Sequence, residues 1–297
     1  MSAASENFNS LPEKKPFLHK EELTNKKKET TIKHNHPLYA EPIFFVGNFP
    51  VTNSMLNSWL ALILIIFLSV FLKRKLQLVP GKLQSLLELV IEEFLNIFDS
   101  VTGSRKKSLK FFPFVFSFFL LILVNNWIGL LPGVGTIGKI VKENGHEVFV
   151  PFFRGGTADL NTTLALAIIG VVASHILGVI TIGVWRHFNK FFNLKALWEI
   201  PKKIKKDPTV LVVNPIKVMV GFIEVIGELS KVVSLSFRLF GNIFAGEVLI
   251  ASMAAILAFG LPIPFMFLEV LVGIIQALIF SMLVLVYLTM STTEEEH

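Results

Sequence analysis

The chain has 297 residues, of which 53% are hydrophobic and 17% charged, with a mean hydropathy of +0.64 and a formal net charge of +6. This composition excludes a soluble globular domain and indicates an integral membrane protein. The absence of cysteine also excludes a disulfide framework and thiol chemistry.

The apolar stretches are continuous runs of about twenty residues, which is the length that an α-helix needs to cross a bilayer. A transmembrane β-barrel would instead show segments of about ten residues in which apolar and polar positions alternate. We therefore expect an all-α polytopic membrane protein, with about five membrane-embedded helices and one amphipathic interfacial helix.

Residues 1–53 are predicted to form a polar N-terminal tail, ahead of a membrane domain over residues 54–297. Lysines and glutamates mix through residues 1–40 without an apolar period. His34 and His36 lack the further ligands that a metal site needs, so we favour an exposed loop and predict no metal. The first apolar run begins near Ser54, which is too late for a cleavable signal peptide.

Helices are predicted at about residues 54–72, 82–101, 111–132, 162–186, 215–258 and 262–291. The second is amphipathic, because leucines and phenylalanines recur at helical spacing opposite several acids. We expect it to lie at the membrane interface or to pack on a partner. Its acids Glu92 and Glu93 are assigned to a solvated face, with a functional role as the alternative.

The last two predicted helices form a hairpin, because GLPIP at residues 260–264 is typical of a turn. The segment 215–258 is about twice the length that a membrane span needs. A helix of this length must be tilted, bent or partly outside the hydrocarbon, and we expect two long tilted helices.

Basic residues in the connecting loops predict the orientation of the chain. Eight Lys or Arg lie between Lys73 and Lys110 and eight between Arg186 and Lys217, but only three lie between residues 133 and 160. The positive-inside rule places the two basic connections in the cytoplasm, which puts the N-terminus outside and the C-terminus inside. Basic residues that lie beside apolar spans also argue against nucleic-acid binding.

Polar residues in or beside the predicted spans have ordinary structural explanations. Asn126, at the end of one span, is expected to hydrogen-bond a neighbouring helix, with the lining of a pathway as the alternative. Asp159 and Asn161 are placed to cap the helix that follows them. His175 lies near the middle of that helix, where hydrogen-bonded structure is favoured over a proton relay.

One face of the long apolar segment carries a stripe of polar and ionisable residues. At about 100° per residue, the stripe contains Glu224, Glu228, Lys231, Arg238 and Asn242. An ionisable group at membrane depth costs about 2.5 to 3.5 kcal/mol, so it usually faces a partner or a water-filled pathway. Glu247 lies off the stripe, and the last helix carries Glu269 and Gln276 on one face.

No nucleotide-binding loop, zinc-spaced histidines, hydrolase motif or dinucleotide fingerprint occurs, so we expect neither an enzyme acting on its own nor a cofactor. Function then depends on ionisable groups in the membrane. Carboxylates at Glu224, Glu247 and Glu269 can exchange protons, whereas the guanidinium of Arg238 stays charged. An arginine between carboxylates indicates a separator of two ion paths.

The stretch SLSFRLFGNIFAGE, followed after GLPIP by GIIQALIFSMLVLVYL, resembles subunit a of the F-type ATP synthase membrane sector. WIGLLP, TADLN and the glutamate-rich C-terminus extend the resemblance from about residue 110 to the end. It implies a non-catalytic stator subunit that couples proton-motive force to ATP synthesis. The implied partners are the ring of subunit c, the peripheral stalk of subunit b, the rest of the F1Fo complex and the lipid bilayer.

The resemblance also implies roles for individual residues. Arg238 would face the ring carboxylates and prevent a leak between two offset half-channels, with Glu224 on the cytoplasmic side. Four residues would line the outer half-channel, namely Asn242, Glu247, Glu269 and Gln276. The candidates for its entrance are Asn126, Asp159, Asn161 and, as our addition, His175. The expected location is the inner (plasma) membrane of a bacterium, with an organellar energy-transducing membrane as the alternative.

The chain departs from some members of the family at two places. It has glutamate at both Glu247 and Glu269, where some members pair a histidine with a carboxylate, and two nearby carboxylates raise each other's proton affinity. Gly129 and Val134 stand where some relatives carry acids. Either H⁺ or Na⁺ is compatible with the sequence as the coupling ion.

Two alternative functions remain from the residues themselves. An ion-coupled secondary transporter would show internal repeats with matching broken helices, but the stretch around Arg238 has no second copy. In the other alternative, Arg238 pairs with Glu224 or Glu228 only to fix helix packing. Glu228 lies about 15 Å from Arg238 along a straight helix, which weighs against that pairing.

Overall fold

The computed structural model describes residues 40–131, 133–135, 137–143, 146–187, 210–257 and 260–293. Two strand pairs occur in it, β1 (Pro42–Val46) with β2 (Phe49–Thr52), and β3 (Gly138–Glu143) with β4 (His146–Pro151). The helices are α1 (Asn53–Arg74), α2 (Lys82–Thr102), α3 (Arg105–Leu130), α4 (Leu160–Ile182), α5 (Val210–Ile256) and α6 (Pro262–Thr292). The paired histidines His34 and His36 lie outside the described residues.

The prediction of an all-α polytopic membrane protein is confirmed. In the part of the chain that the structure describes, five helices are long and apolar enough to cross a membrane, namely α1, α3, α4, α5 and α6. The continuous apolar runs of the sequence therefore form helices, in which backbone groups bond within the segment as a bilayer requires. In α2, the glutamates lie on an exposed face opposite the apolar one, and the helix is not among the candidate spans.

The two hairpins differ from the sequence-based expectation. Residues 42–52, which we assigned to the polar tail, pair as antiparallel strands, and Gly47 supplies a φ of +64° at the turn. Aromatic and β-branched residues flank this glycine, which is the composition that favours a hairpin. Residues 138–151, expected to be loop, also form a strand pair.

The beginnings of the helices follow local hydrogen bonding. The side chain of Asp159 accepts a hydrogen bond from the backbone N–H of Asn161, so the predicted capping of α4 is confirmed for Asp159. α3 begins at Arg105, six residues before the predicted position 111, because the basic cluster forms its first turn. Arg105 is held there by Asp99 and Glu92 of α2, at 2.9 and 2.8 Å.

The buried core is formed by α3, α4, α5 and α6, with α2 joined to one side. Phe94 of α2 packs on Phe119 of α3 at a ring-centroid distance of 4.6 Å, and Phe118 of α3 stacks on Phe280 of α6 at 5.7 Å. Small residues let helices approach, as in many membrane proteins. A Cβ added at Gly170 would lie 3.0 Å from Val284, so this glycine permits close contact between α4 and α6.

The length of α5 decides how it can lie in a membrane. Its 47 residues extend for about 70 Å, more than twice the hydrocarbon thickness of about 30 Å. The helix therefore presents residues at both membrane surfaces as well as in the middle.

Candidate functional site

The predicted stripe on α5 contains an exposed part around Arg238. Arg238 and Asn242 are one turn apart and are both exposed, and the neighbouring Phe237 is 56% exposed. The guanidinium donates a long hydrogen bond to Ser234 Oγ at 3.4 Å. No carboxylate among the described residues forms a salt bridge with Arg238. A permanent positive charge within a candidate membrane span is thus exposed, with no carboxylate of the described chain paired to it.

A second part of the stripe contacts the protein itself. Lys231 Nζ lies 2.6 Å from one carboxylate oxygen of Glu228, and His175 Nε2 of α4 lies 3.3 Å from the other. Glu228 is therefore bonded to groups other than Arg238. This argues against the alternative in which Arg238 and Glu228 pair only to fix helix packing. Glu224, one turn before Glu228, is half-buried.

On the opposite side of α5, Glu247 forms an ion pair that the sequence analysis missed, in which the arginine is buried and the Glu247 side chain is 28% exposed. Arg154 is only 5% exposed and donates hydrogen bonds to the Glu247 carboxylate through Nη2 at 2.9 Å and Nε at 3.1 Å. Its guanidinium also lies 5.9 Å from the ring centroid of Phe244. Arg154 follows β4 in a glycine-containing segment, where an arginine is unremarkable, so its sequence gives little sign of this contact.

Glu269 of α6 approaches α5 at the turn that carries Glu247. The side chain is 7% exposed, and its Oε1 is buried without a hydrogen-bond partner among the described residues. The approach depends on Gly246, because a Cβ at that position would overlap the Glu269 carboxylate. A buried carboxylate oxygen with no donor favours the protonated acid or a bound water or ion.

A cavity of about 200 Å³ joins these two glutamates to the end of α3. Its polar lining residues are Asn126, Glu247 and Glu269, and the others are glycines and apolar side chains such as Ile243 and Met266. A water needs about 10–15 Å³ of such volume, so the cavity has room for several waters. Water beside buried carboxylates is the arrangement that proton transfer requires.

Of the other entrance candidates, Asn126 lies at the cavity, whereas Asp159 and Asn161 lie where α4 begins. Asn126 is held by Gly273 O, to which it donates at 3.2 Å, and by the Thr157 hydroxyl, which donates to its Oδ1. Asp159 accepts from Ser54 Oγ at 3.1 Å, which ties the start of α4 to α1, and also from the Asn161 backbone N–H.

Gln276 and His175 lie in different parts of the helical bundle, and Gln276 is near the middle of α6. Gln276 is buried two turns after Glu269 on the same face of α6. His175 lies sixteen residues after Asp159, about 24 Å along α4, and contacts Glu228 and His187. The structure therefore does not bring His175 to the entrance group, where we had placed it.

Packing also accounts for Gly129, where some members of the resembled family carry an acid. Gly129 lines the cavity, and a Cβ on it would lie 3.0 Å from the Cα of Gly155. The segment before α4 thus occupies the space that a side chain would need. Within the described ranges, no group of three or more His, Cys, Asp or Glu is arranged to hold a metal.

Comparison with known proteins gives one consistent result. The model of the family described as ATP synthase A chain matches residues 55–289. ATP synthase subunit a of Geotalea daltonii is 34% identical over 240 residues, covering 81% of this chain and 87% of the relative. Subunit a of Trichlorobacter lovleyi is 31% identical, with coverages of 82% and 89%, and that of Geobacter sulfurreducens is 32% identical, with 81% and 87%.

Proposed function

Because this chain belongs to the ATP synthase subunit a family, we propose that it carries protons through two half-channels that Arg238 keeps apart. Membership makes it a multi-pass, membrane-sector subunit of F-type ATP synthase, and the family supports proton translocation. The proposal concerns which residues carry protons and which partners these residues face.

The observation that carries this proposal is the exposed guanidinium of Arg238. An arginine side chain does not lose its proton, so it can neutralise a carboxylate or repel a proton but cannot pass one on. With no carboxylate of the described chain paired to it, its counter-charge is expected from a partner. The proposed partner is the carboxylate of a ring subunit that moves past the face formed by Phe237, Arg238 and Asn242.

The outer half-channel is assigned to the cavity between α3, α5 and α6. Glu247 and Glu269 line it together with Asn126, and Gln276 continues the polar face of α6 toward the bundle interior. Asn242 lies on α5 between this region and Arg238. A proton entering from outside would reach the two glutamates through the cavity and then pass to the ring.

The inner half-channel is assigned to the opposite end of α5, near Glu224. This residue and Glu247 lie on different sides of Arg238 along one helix, so a direct path between them would pass the fixed positive charge. A proton therefore crosses only while it is carried by the ring. The N-terminus is outside and the C-terminus is cytoplasmic in this arrangement, consistent with the positive loops.

The surroundings of the protein follow from the same proposal. Its partners are the ring of subunit c, the subunit b stalk and the other F1Fo subunits, and the active sites for ATP lie on other chains. The relatives named above are bacterial, which supports a bacterial inner membrane as the location. Pumping measured in vesicles with and without Na⁺ would identify the coupling ion.

A cysteine cross-linking experiment tests the proposed face directly, since the natural chain contains no cysteine. Phe237→Cys, in the complex with a single cysteine beside the ring carboxylate, should form a disulfide with the ring subunit. Ile63→Cys on α1 is a matched control, because Ile63 is similarly exposed and lies on a different helix. Equal cross-linking of both positions, or none at Phe237→Cys in vesicles that pump, would contradict the proposal.

A further inference from the structure

A second cavity, of about 440 Å³, lies between α4 and α5 near the end of α4. Its walls are aliphatic side chains such as Val172, Ile176 and Val225, and its polar residues are His175, His187 and Glu228. None of the latter three lines the cavity assigned to the outer half-channel. The two cavities are thus separate sites that contain different ionisable groups.

The three polar residues of this second cavity form a continuous hydrogen-bonded row. His187 Nε2 lies 3.2 Å from His175 Nδ1, and His175 Nε2 lies 3.3 Å from Glu228 Oε2. A carboxylate only accepts hydrogen bonds, so His175 donates through Nε2. Its Nδ1, in the neutral ring, then accepts from the Nε2–H of His187. The row therefore has one direction of donation, from His187 to Glu228.

The charged and titratable groups beside this row come from α5 and α6. Lys231 on α5 holds the second oxygen of Glu228 at 2.6 Å and lies 5.2 Å from the ring centroid of Tyr287 on α6. Arg238 is two turns further along α5. The Lys231–Glu228 pair is neutral as a unit, so His175 lies beside a carboxylate that is already paired.

We propose that His187, His175 and Glu228 form a proton relay that connects the end of α4 to the polar stripe of α5. A proton binds His187 at Nδ1, the Nε2 proton of His187 moves to His175 Nδ1, and the Nε2 proton of His175 moves to Glu228. Each histidine gains one proton and releases one. With each ring in its other tautomer, the row passes a proton in the reverse direction, from Glu228 to His187. The relay rests on the proposed function, in which this end of α5 belongs to the inner half-channel.

A relay differs from a structural clamp in the chemistry that it needs. A clamp requires only one donor and one acceptor on each side chain, which a glutamine amide also supplies. A relay requires a ring that binds and releases protons near neutral pH, which histidine does and glutamine does not. The cavity beside the two rings is lined almost entirely by apolar side chains, so the proposed proton path runs through the side chains themselves.

The test compares His175→Gln with Thr181→Ala in the whole complex in vesicles. Thr181 is a matched control on α4, because its hydroxyl bonds only the Leu177 carbonyl among the contacts described and does not line the cavity. We expect passive proton conduction through the membrane sector, per assembled complex, to fall at least about fivefold in His175→Gln and to lose its dependence on pH between about 6 and 8. Thr181→Ala should conduct as the wild type does.

Normal conduction and a normal pH profile in His175→Gln would overturn the relay and leave a clamp. If His175→Gln does not assemble, His187→Gln is measured in its place by the same criterion, since His187 lies beyond the end of α4. The proposed function is checked separately with Arg238→Ala. Coupling retained in Arg238→Ala overturns the half-channel proposal, whereas coupling lost there with normal His175→Gln overturns the relay alone.

Discussion

Arg154 and Arg238 are both set in an apolar environment, but their surroundings are opposite. Arg154 is buried and binds Glu247 through two nitrogen atoms, so its charge is neutralised within the chain. Arg238 is exposed, and its described contact is a long hydrogen bond to a serine of its own helix. The first arginine therefore organises a site inside the protein, whereas the second offers its charge to a surface beyond it.

This difference predicts how substitution of each arginine affects the protein. Removing one partner of a fully buried ion pair costs about 3–5 kcal/mol. The Arg154–Glu247 pair should contribute less, because the Glu247 side chain is 28% exposed, but its loss still affects the folding of its surroundings. An exposed, unpaired arginine contributes little to the stability of its own chain. Variants at Arg238 should therefore assemble and fail in function, whereas variants at Arg154 should first fail to assemble.

The largest expected effect is that of Arg238→Ala. We expect ATP-driven proton pumping and ATP synthesis in vesicles to be abolished, because nothing then separates the two half-channels, while the amount of assembled complex stays normal. Arg238→Lys should also fail, since a lysine can lose its proton and lacks the guanidinium geometry. Arg74→Gln, which removes an exposed arginine at the end of α1, is the control and should pump normally. Coupled ATP synthesis by Arg238→Ala would show that Arg238 does not separate the two half-channels.

The second prediction concerns the buried pair. Arg154→Gln should lower the amount of assembled complex about threefold, which is less than the about 3–5 kcal/mol of a fully buried pair would give, because the Glu247 side chain is 28% exposed. The double variant Arg154→Gln with Glu247→Gln should recover assembly, because both charges of this pair are then removed, but it should not recover pumping. Immunoblots of purified complex and pumping per complex give the two readouts. Recovery of both would remove Glu247 from the proton path.

The third prediction uses the close contact between Gly246 and Glu269. Gly246→Ala should reduce pumping at least about tenfold, because the added methyl group displaces a carboxylate proposed to carry protons. Gly227→Ala is a matched control in the same helix, since a Cβ there meets no atom within 4 Å. Both substitutions raise helix propensity equally, so a difference between them reports the Glu269 contact. Equal pumping by the two variants would show that the position of this carboxylate is unimportant.

A smaller effect is expected at Thr157, whose hydroxyl holds Asn126 at the wall of the outer cavity. Thr157→Val leaves the Asn126 oxygen without this donor, at a cost of about 1–3 kcal/mol. Pumping per complex should fall by less than in Gly246→Ala, and the melting temperature of the complex should fall by a few degrees. Thr157→Ser keeps the hydroxyl and should restore both quantities. If serine behaves like valine, the hydrogen bond is not the cause.

The smallest effect is expected for Asp99 on α2, outside the membrane spans. A hydrogen bond from Ser108 and the nearby Arg105 guanidinium lower the pKa of Asp99 below its ordinary value. A carboxyl with a lowered pKa stabilises the fold at pH values above its unfolded pKa, and this contribution is lost as the pH falls through the folded pKa. The melting temperature of the wild type should therefore approach that of Asp99→Asn only below about pH 4. Both should pump equally at neutral pH.

The sequence allowed Arg238 to be identified, because a charge within an apolar run is costly and therefore conspicuous. It also indicated the face shared by Glu269 and Gln276, because helical spacing alone determines it. Arg154 was missed, since its partner Glu247 is 93 residues away in the chain and only the folded loop brings them together. The same holds for His175, which helical position alone could not assign to Glu228 rather than to the entrance group.

Local signals for both hairpins are present in the sequence, but the prediction did not use them. An Asn-Gly pair at residues 144–145 separates two strand-like runs, and Gly47 lies between aromatic and β-branched residues. The space around Gly129, in contrast, could not be foreseen, because it is Gly155, from another segment of the chain, that fills it. Contacts between segments far apart in sequence thus decide the parts of the site that prediction missed.

The continuous helix α5 sets the distance between residues near the two sides of the membrane. Glu224 and Glu247 are 23 residues apart on it, which fixes their separation at about 35 Å along the helix axis. Substitutions can alter the chemistry at either end but cannot change that spacing. One inserted residue between them would rotate one end by about 100° relative to the other, and Glu247 would turn out of its cavity. The distance between the two proposed half-channels is thus protected against gradual change, and only insertions or deletions of whole turns could alter it.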